Sequence, residues 1–219
     1  MNNSLSNLVR FPTFAPELKA TTTPRESATR ESILAEAIAL AKEEGWKKVT
    51  VRAITERLNY KPPVLYQFFD NKDHLIQTIL ENGFEILATS MKEARMSAKE
   101  PKDQLLAMAQ ARFRFATEHA ALHSLMFTTD NPAWFRKTVF SGMCQNRDSV
   151  TTLIQEISGR KDECLDLVTN FISLIKGYTF FATELPIELA KSHFFGAQNP
   201  EEALAEAMKR FIKSIQPNE

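Results

Sequence analysis

Cysteine is scarce in this 219-residue chain, with only Cys144 and Cys164 present. They lie in segments that read as helical, so their spacing supports neither a disulfide framework nor a Cys-x-x-Cys metal site; both read as small core hydrophobes. Glycine is sparse too, six residues in all, and no glycine-rich phosphate loop stands out. Long apolar runs are missing. Residues 171–175 and 178–182 are broken by Lys176 and Gly177, far short of the roughly 20 residues of a membrane span. The opening MNNSLSNLVRFPTFAP has no continuous apolar stretch and no small-residue cleavage pattern, which argues against a signal peptide and for a cytoplasmic protein with no membrane partner. Net charge is absent as well: 27 basic residues balance 27 acidic ones, which read globally gives no hint of nucleic acid. Neither strand alternation nor an internal repeat is found. No Ser-His-Asp or paired-carboxylate constellation is evident, so no catalytic residues, no enzyme activity and no cofactor are expected.

What is present is helical periodicity and a local charge imbalance. Residues 46–72 hold six bases (Lys47, Lys48, Arg52, Arg57, Lys61, Lys72) against two acids (Glu56, Asp70). Residues 1–24, with three prolines and no periodicity, read as a flexible arm. Ile33, Leu34, Ala37, Ile38 and Ala41 then place one apolar stripe on a first helix that Gly45 can end. Thr50 can cap a second helix reaching about Leu58, with Ile54 and Leu58 inward. Asn59 suits a left-handed turn, and Lys61 and Pro62, each preceding a proline, must stay extended. A third helix is predicted from Pro63 to about Phe69. A helix of about eight residues, a turn of about four and a helix of about seven is helix-turn-helix spacing.

Asn71 can cap a fourth helix from Lys72 to about Ala98, on the order of 40 Å long. Helices are further predicted from Pro101, over His119 to Phe127, from the Asn131-Pro132 pair to near Gly159, from about Lys161 to Leu185, over Ile187 to Phe195, and from the Asn199-Pro200 pair to the C-terminal end. The fold class is therefore all-α, with about nine or ten helices: residues 1–24 an arm, 25–71 a three-helix DNA-binding domain, and 72–219 a helical ligand-binding and dimerisation domain.

Residues 29–76 carry Gly45-Trp46, Thr50-Val51-x-x-Ile54, Leu65-Tyr66-x-x-Phe69 and Lys72-x-x-Leu75 in an order that resembles the DNA-binding domain of the TetR (tetracycline repressor) family. More loosely, ARFRFATEHAALHSLMF and LIKGYTFFATEL are similar to a TetR subgroup with a His-Gly pair in the penultimate long helix; here that pair is Lys176-Gly177. The resemblance implies a homodimeric transcription regulator, a repressor, that binds a palindromic or near-palindromic double-stranded operator and is relieved by a small hydrophobic or aromatic effector. It makes Tyr66 and Lys72 phosphate contacts, with Thr50 and Arg52 at the backbone or groove edge. Hydroxyls, guanidinium and a helix N-terminus suit those roles. Leu65 and Phe69 should hold the recognition helix inward. Pro62, Pro63 and Val64 stand where the family often has Thr or Ser, which favours apolar contact with thymine methyls, leaves Gln67 as the main base-edge reader with adenine its best partner, gives Lys61 to phosphate, and sets Phe68 between core and groove.

In the second domain Met108, Arg112, Phe113, Phe127, Trp134, Met143, Phe171 and Tyr178 are the candidate ligand-pocket residues, an apolar and deformable set beside which either Arg112 or Gln110 can orient a polar group, the alternative being that both lie on a solvated face. Lys176 is expected to snorkel to the surface. His119 and His123 have the spacing of a zinc pair, but position 120 is Ala and no third ligand is near, so they read as packing histidines and no metal is expected. The resemblance implies dimerisation through the last two long helices. Two-fold pairing is also what sets recognition helices about 34–36 Å apart for successive major grooves. The alternative is a helical small-molecule-binding protein or enzyme that keeps the N-terminal motif only for packing.

Overall fold

The computed structural model describes residues 24–127, 137, 140, 143–144, 147–190, 194–195 and 199–217. They are helical, with no strand among them, and fall into two compact units divided between Asn82 and Gly83.

In the first unit, α1 (Pro24–Glu44) buries Ile33, Leu34, Ala37, Leu40 and Ala41 along one stripe. It stops at Gly45, whose φ of 85° is open to a residue without Cβ and whose N–H donates to the Ala41 carbonyl. A single 3-10 turn, Trp46–Lys48, leads to α2 (Val51–Arg57). Thr50 caps it as expected, its Oγ1 accepting from the Ala53 N–H at 3.1 Å. Asn59 takes the predicted left-handed turn, with φ 54°. Lys61 is extended before α3 (Pro62–Tyr66), where both prolines occupy first-turn positions that need no N–H partner. This third helix starts one residue earlier and ends sooner than predicted. The N–H groups of Phe68 and Phe69 both turn back to the Leu65 carbonyl, so Phe69 drops fully into the core. Arg57 fastens α2 to α1 through two hydrogen bonds to Glu43 and an ion pair with Glu36 at 2.6 Å, and its donation holds the Glu43 carboxyl below its usual range.

Asn71 caps α4 (Lys72–Met96), its Oδ1 accepting from the His74 N–H. The unit division falls inside this helix: Leu75, Ile76, Ile79 and Leu80 belong to the first core, and Phe84, Leu87 and Met91 to the second.

In the second unit, α5 (Pro101–Glu118) is central. It leads into α6 (Ala120–Phe127), and α7 (Arg147–Ser158), α8 (Leu165–Thr183) and α10 (Pro200–Ser214) pack against it. It buries Leu105, Met108, Ala109, Phe113 and Ala116, and the helices packed on it bury Leu153 and Ile154 of α7, Phe171 and Ile175 of α8, and Leu204, Met208 and Ile212 of α10. Arg114 adds an ion pair to Glu201. Gly83 stands where α4 comes closest to α6: a Cβ there would lie 2.9 Å from Met126 Sδ and 3.0 Å from Leu122 Cδ1. Asn199 caps α10, as its spacing before Pro200 suggested. A short α9 (Ile187–Ala190) precedes it.

α8 begins four residues later than predicted and ends two sooner. Cys164 adopts a left-handed conformation, φ 48°, and Arg160 pairs with Asp162 and Asp166, holding the preceding segment as a turn. Of the helix predicted after Asn131, the part carrying Trp134, Phe135 and Val139 lies outside the described residues. No helix of the described residues is long and apolar enough to cross a membrane.

Candidate nucleic-acid interface

The nine predicted DNA-contact residues lie between Thr50 and Lys72, along α2, the turn, α3 and the first residue of α4. Leu65 and Phe69 are fully buried beside Ile54 and Val49, so the inward face of the motif is used up by packing. The outward face is left polar. Arg52, Lys61, Pro63 and Gln67 are exposed, Tyr66 is 54% exposed, and Val64, Phe68 and Lys72 are half-buried. Thr50 spends an oxygen lone pair on the helix cap, and its hydroxyl hydrogen stays available to an acceptor. Among the described residues Arg52 is engaged only with Glu56, one turn along, at 2.7 Å and in full solvent. Such a pair contributes little and is readily exchanged for a phosphate. Phe68 has the intermediate burial expected of a residue shared between core and groove surface.

Among the described residues, the recesses take in only two of the candidate pocket residues, and separately. Met108, Phe113 and Phe171 are closed into the core, and Met143 is 46% exposed. Met108 also reaches a recess lined by Ala88, Lys92, Arg95 and Gln104, whereas Tyr178 lines a separate shallow groove with Leu174, Gly177, Phe181 and Phe211 and packs against Phe195. Trp134 lies outside the described residues.

Arg112 and Phe127 do meet. The guanidinium carbon stands 5.2 Å from the Phe127 ring centroid, the Lys176 ammonium 5.6 Å from it, and the His123 ring 4.7 Å from it, while Phe84 of α4 meets the same ring edge-on at 5.9 Å. Sequence reasoning named Arg112 and Phe127 and missed that His123, Lys176 and Phe84 join them. The charge of Lys176 inside an apolar run was the one local sign. Burial draws the Arg112 guanidinium down to about 10. It keeps some accessible surface nonetheless.

His123 is lowered to about 4, first by desolvation and then by the charges of Arg112 and Lys176, against an ordinary value of 6.5. The folded imidazole is therefore neutral where the unfolded one already takes up a proton, so stability is full above pH 6.5 and is lost as pH falls toward 4. On the order of 2 kcal/mol is expected to disappear across that window, allowing for the ring's partial exposure. Urea denaturation at neutral and at mildly acid pH checks it: His123→Asn should have the shallower acid limb, and equal limbs would refute the assignment. His119 is lowered by desolvation too and packs on Phe115. Among the described residues no three His, Cys, Asp or Glu side chains converge as metal ligands would.

Together these features define a helix-turn-helix protein with a separate helical domain carrying a cationic, aromatic-lined cluster. Residues 33–79 match the family described as bacterial regulatory proteins, tetR family. Over 76 residues the chain is 30% identical to the HTH-type transcriptional repressor KstR of Mycolicibacterium smegmatis; the match takes in 35% of this chain and 37% of that repressor. The fold extends further. A TetR-family transcriptional regulator, PfmR, of Thermus thermophilus superposes with a TM-score of 0.64 and 16% identity, over 90% of this chain and all of that one. A TetR-family regulator of Streptomyces coelicolor gives 0.68 and 19%, over 89% and 92%.

Proposed function

We propose that the chain is a homodimeric, sequence-specific DNA-binding transcriptional regulator, a repressor released by a small effector in its C-terminal domain. The observation that carries this reading is the division of labour in the first unit: Leu65 and Phe69 anchor a recognition helix whose Tyr66 and Gln67 face outward, flanked by Arg52, Lys61 and Lys72. Lys61, Tyr66 and Lys72 take phosphates, Thr50 and Arg52 the backbone or groove edge, Pro63 and Val64 thymine methyls, and Gln67 an adenine. Residues 25–71 then serve as the reading domain and residues 72–219 as the sensing and pairing domain, with α4 common to both. An effector acts by favouring one of two arrangements of α4, and only to the extent that its affinity for the two differs.

The test is a binding titration against DNA from upstream of the chain's own gene, repeated across salt concentrations. A steep loss of affinity with salt is expected of several phosphate contacts, and a flat dependence would overturn the assignment.

Pairing through α8 and α10 is supported by the groove between them. Nothing lies within 4 Å of a Cβ built on Gly177, and Asn170, Ser173, Leu174, Phe181 and Phe211 rim the opening, so another backbone can approach closely. Gly177→Arg fills it while replacing a poor helix former by a good one. It is expected to yield a folded monomer in light scattering, with operator affinity lowered by orders of magnitude because one short helix makes too few contacts. A variant that remains dimeric would place the interface elsewhere.

A further inference from the structure

An arginine that carries five N–H donors is poorly placed where packing strips its water unless something acidic comes to meet it. Arg112 is half-buried. Its partner among the described residues is the face of Phe127, a cation–π contact that uses none of the N–H donors at the guanidinium edge. The other groups on that ring do not help: Lys176 is a second cation, and His123 is held neutral. No described carboxylate hydrogen-bonds or pairs with Arg112 or Lys176. Two cations and a neutral imidazole gathered on one ring repel an incoming cation, and a neutral apolar molecule leaves their charge unanswered. Phe84, Leu122 and Met126 are buried in the apolar core beneath them, and the Phe127 ring itself is half-buried.

We propose that the effector is an apolar carboxylate, its acid group held by Arg112 and Lys176 with His123 donating to it, and its tail lying along the half-buried Phe127 ring. This rests on reading the C-terminal domain as the effector domain and adds the chemical class of the effector. A bidentate contact from the Arg112 fork suits the two oxygens of a carboxylate. Phosphate shares the anionic chemistry, but the Phe127 ring that both cations overlie favours an acid carried on a hydrocarbon body. The anion would tie α5, α6 and α8 together, since Arg112, His123 with Phe127, and Lys176 come from those three helices, and the edge contact of Phe127 with Phe84 passes the change to α4.

Calorimetric titration of the full chain without DNA tests it. The probes are straight-chain acids from hexanoate to hexadecanoate and 4-phenylbutyrate, each beside its primary alcohol and methyl ester, with inorganic phosphate as a separate arm. At least one acid is expected to bind roughly ten- to a hundredfold more tightly than its alcohol and ester, the size of a charge-assisted hydrogen bond. Arg112→Met should reduce that acid to the affinity of its alcohol while leaving the alcohol unchanged, and Lys176→Met, at an exposed position, should give a smaller loss in the same direction. Retention of the alcohol's affinity shows that the variants are folded. Equal affinity for acid, alcohol and ester, no binding of any acid, unchanged acid binding in both variants, or phosphate binding as tightly as the acids would each overturn the proposal. An acid that binds but does not release DNA would instead leave the site standing and remove its regulatory role.

Discussion

Arg52→Ala combined with Lys72→Ala is expected to weaken operator binding roughly a thousandfold at low salt, with folding unchanged. Each substitution removes one phosphate partner per subunit and so two per dimer. Four solvent-exposed ion pairs with phosphate at about 1 kcal/mol each give that magnitude. The salt dependence is the sharper measurement: the slope of log affinity against log salt should shrink by about 0.9 for every phosphate no longer neutralised, thus by between about 3 and 4. Stability should scarcely move. Arg52 gives up only the solvent-exposed pair with Glu56 one turn along the helix, and Lys72 makes no ion pair among the described residues. Tyr66→Phe is the neutral counterpart, expected to lose a smaller amount of affinity without changing the slope, because a hydroxyl displaces no counterion. A double variant that binds with undiminished slope would remove Arg52 and Lys72 from the interface whatever its affinity.

The parts of this protein that were legible in its sequence are those where one residue type has a narrow conformational use. Gly45, Asn59 and the Lys61-Pro62-Pro63 step mark their turns because few other residues accept those backbone angles, and Thr50, Asn71 and Asn199 mark helix starts because their side chains satisfy N–H groups the helix leaves open. Cys164 carries no such mark. A cysteine in a left-handed conformation is not foreseen by composition, and the start of α8 was read too early for that reason. The second domain was less legible on different grounds. Helical periodicity tells which face is buried but not whether the buried space is filled: Met108, Phe113 and Phe171, all apolar and correctly spaced, are buried, and burial suits core and ligand wall alike. What brings Arg112, His123, Phe127 and Lys176 to one place is the packing of α6 and α8 against α5, a relation between residues up to 64 positions apart that no local pattern encodes.

Phe69→Ala is expected to cost about 3–5 kcal/mol and to dismantle the reading domain rather than merely weaken its grip on DNA. The side chain is fully buried, Arg30 lies over its ring at 5.3 Å, and His74 meets it edge-on at 5.7 Å. The third helix is only five residues long, too short to persist without tertiary support. Its orientation is set by Leu65 within it and Phe69 just beyond, so losing either anchor frees Tyr66 and Gln67 from the surface that presents them. Loss of DNA binding here should therefore track loss of structure: amide exchange across residues 46–69 should rise sharply, and the denaturation profile should show an early transition from the first unit. The second unit has its own core, and its transition is expected to stay where it was. Phe69→Leu, which keeps most of the apolar volume, should recover much of the stability and of the binding together. If Phe69→Ala instead left exchange and stability unchanged while abolishing binding, the ring would belong to the DNA surface and not to the anchor beneath it.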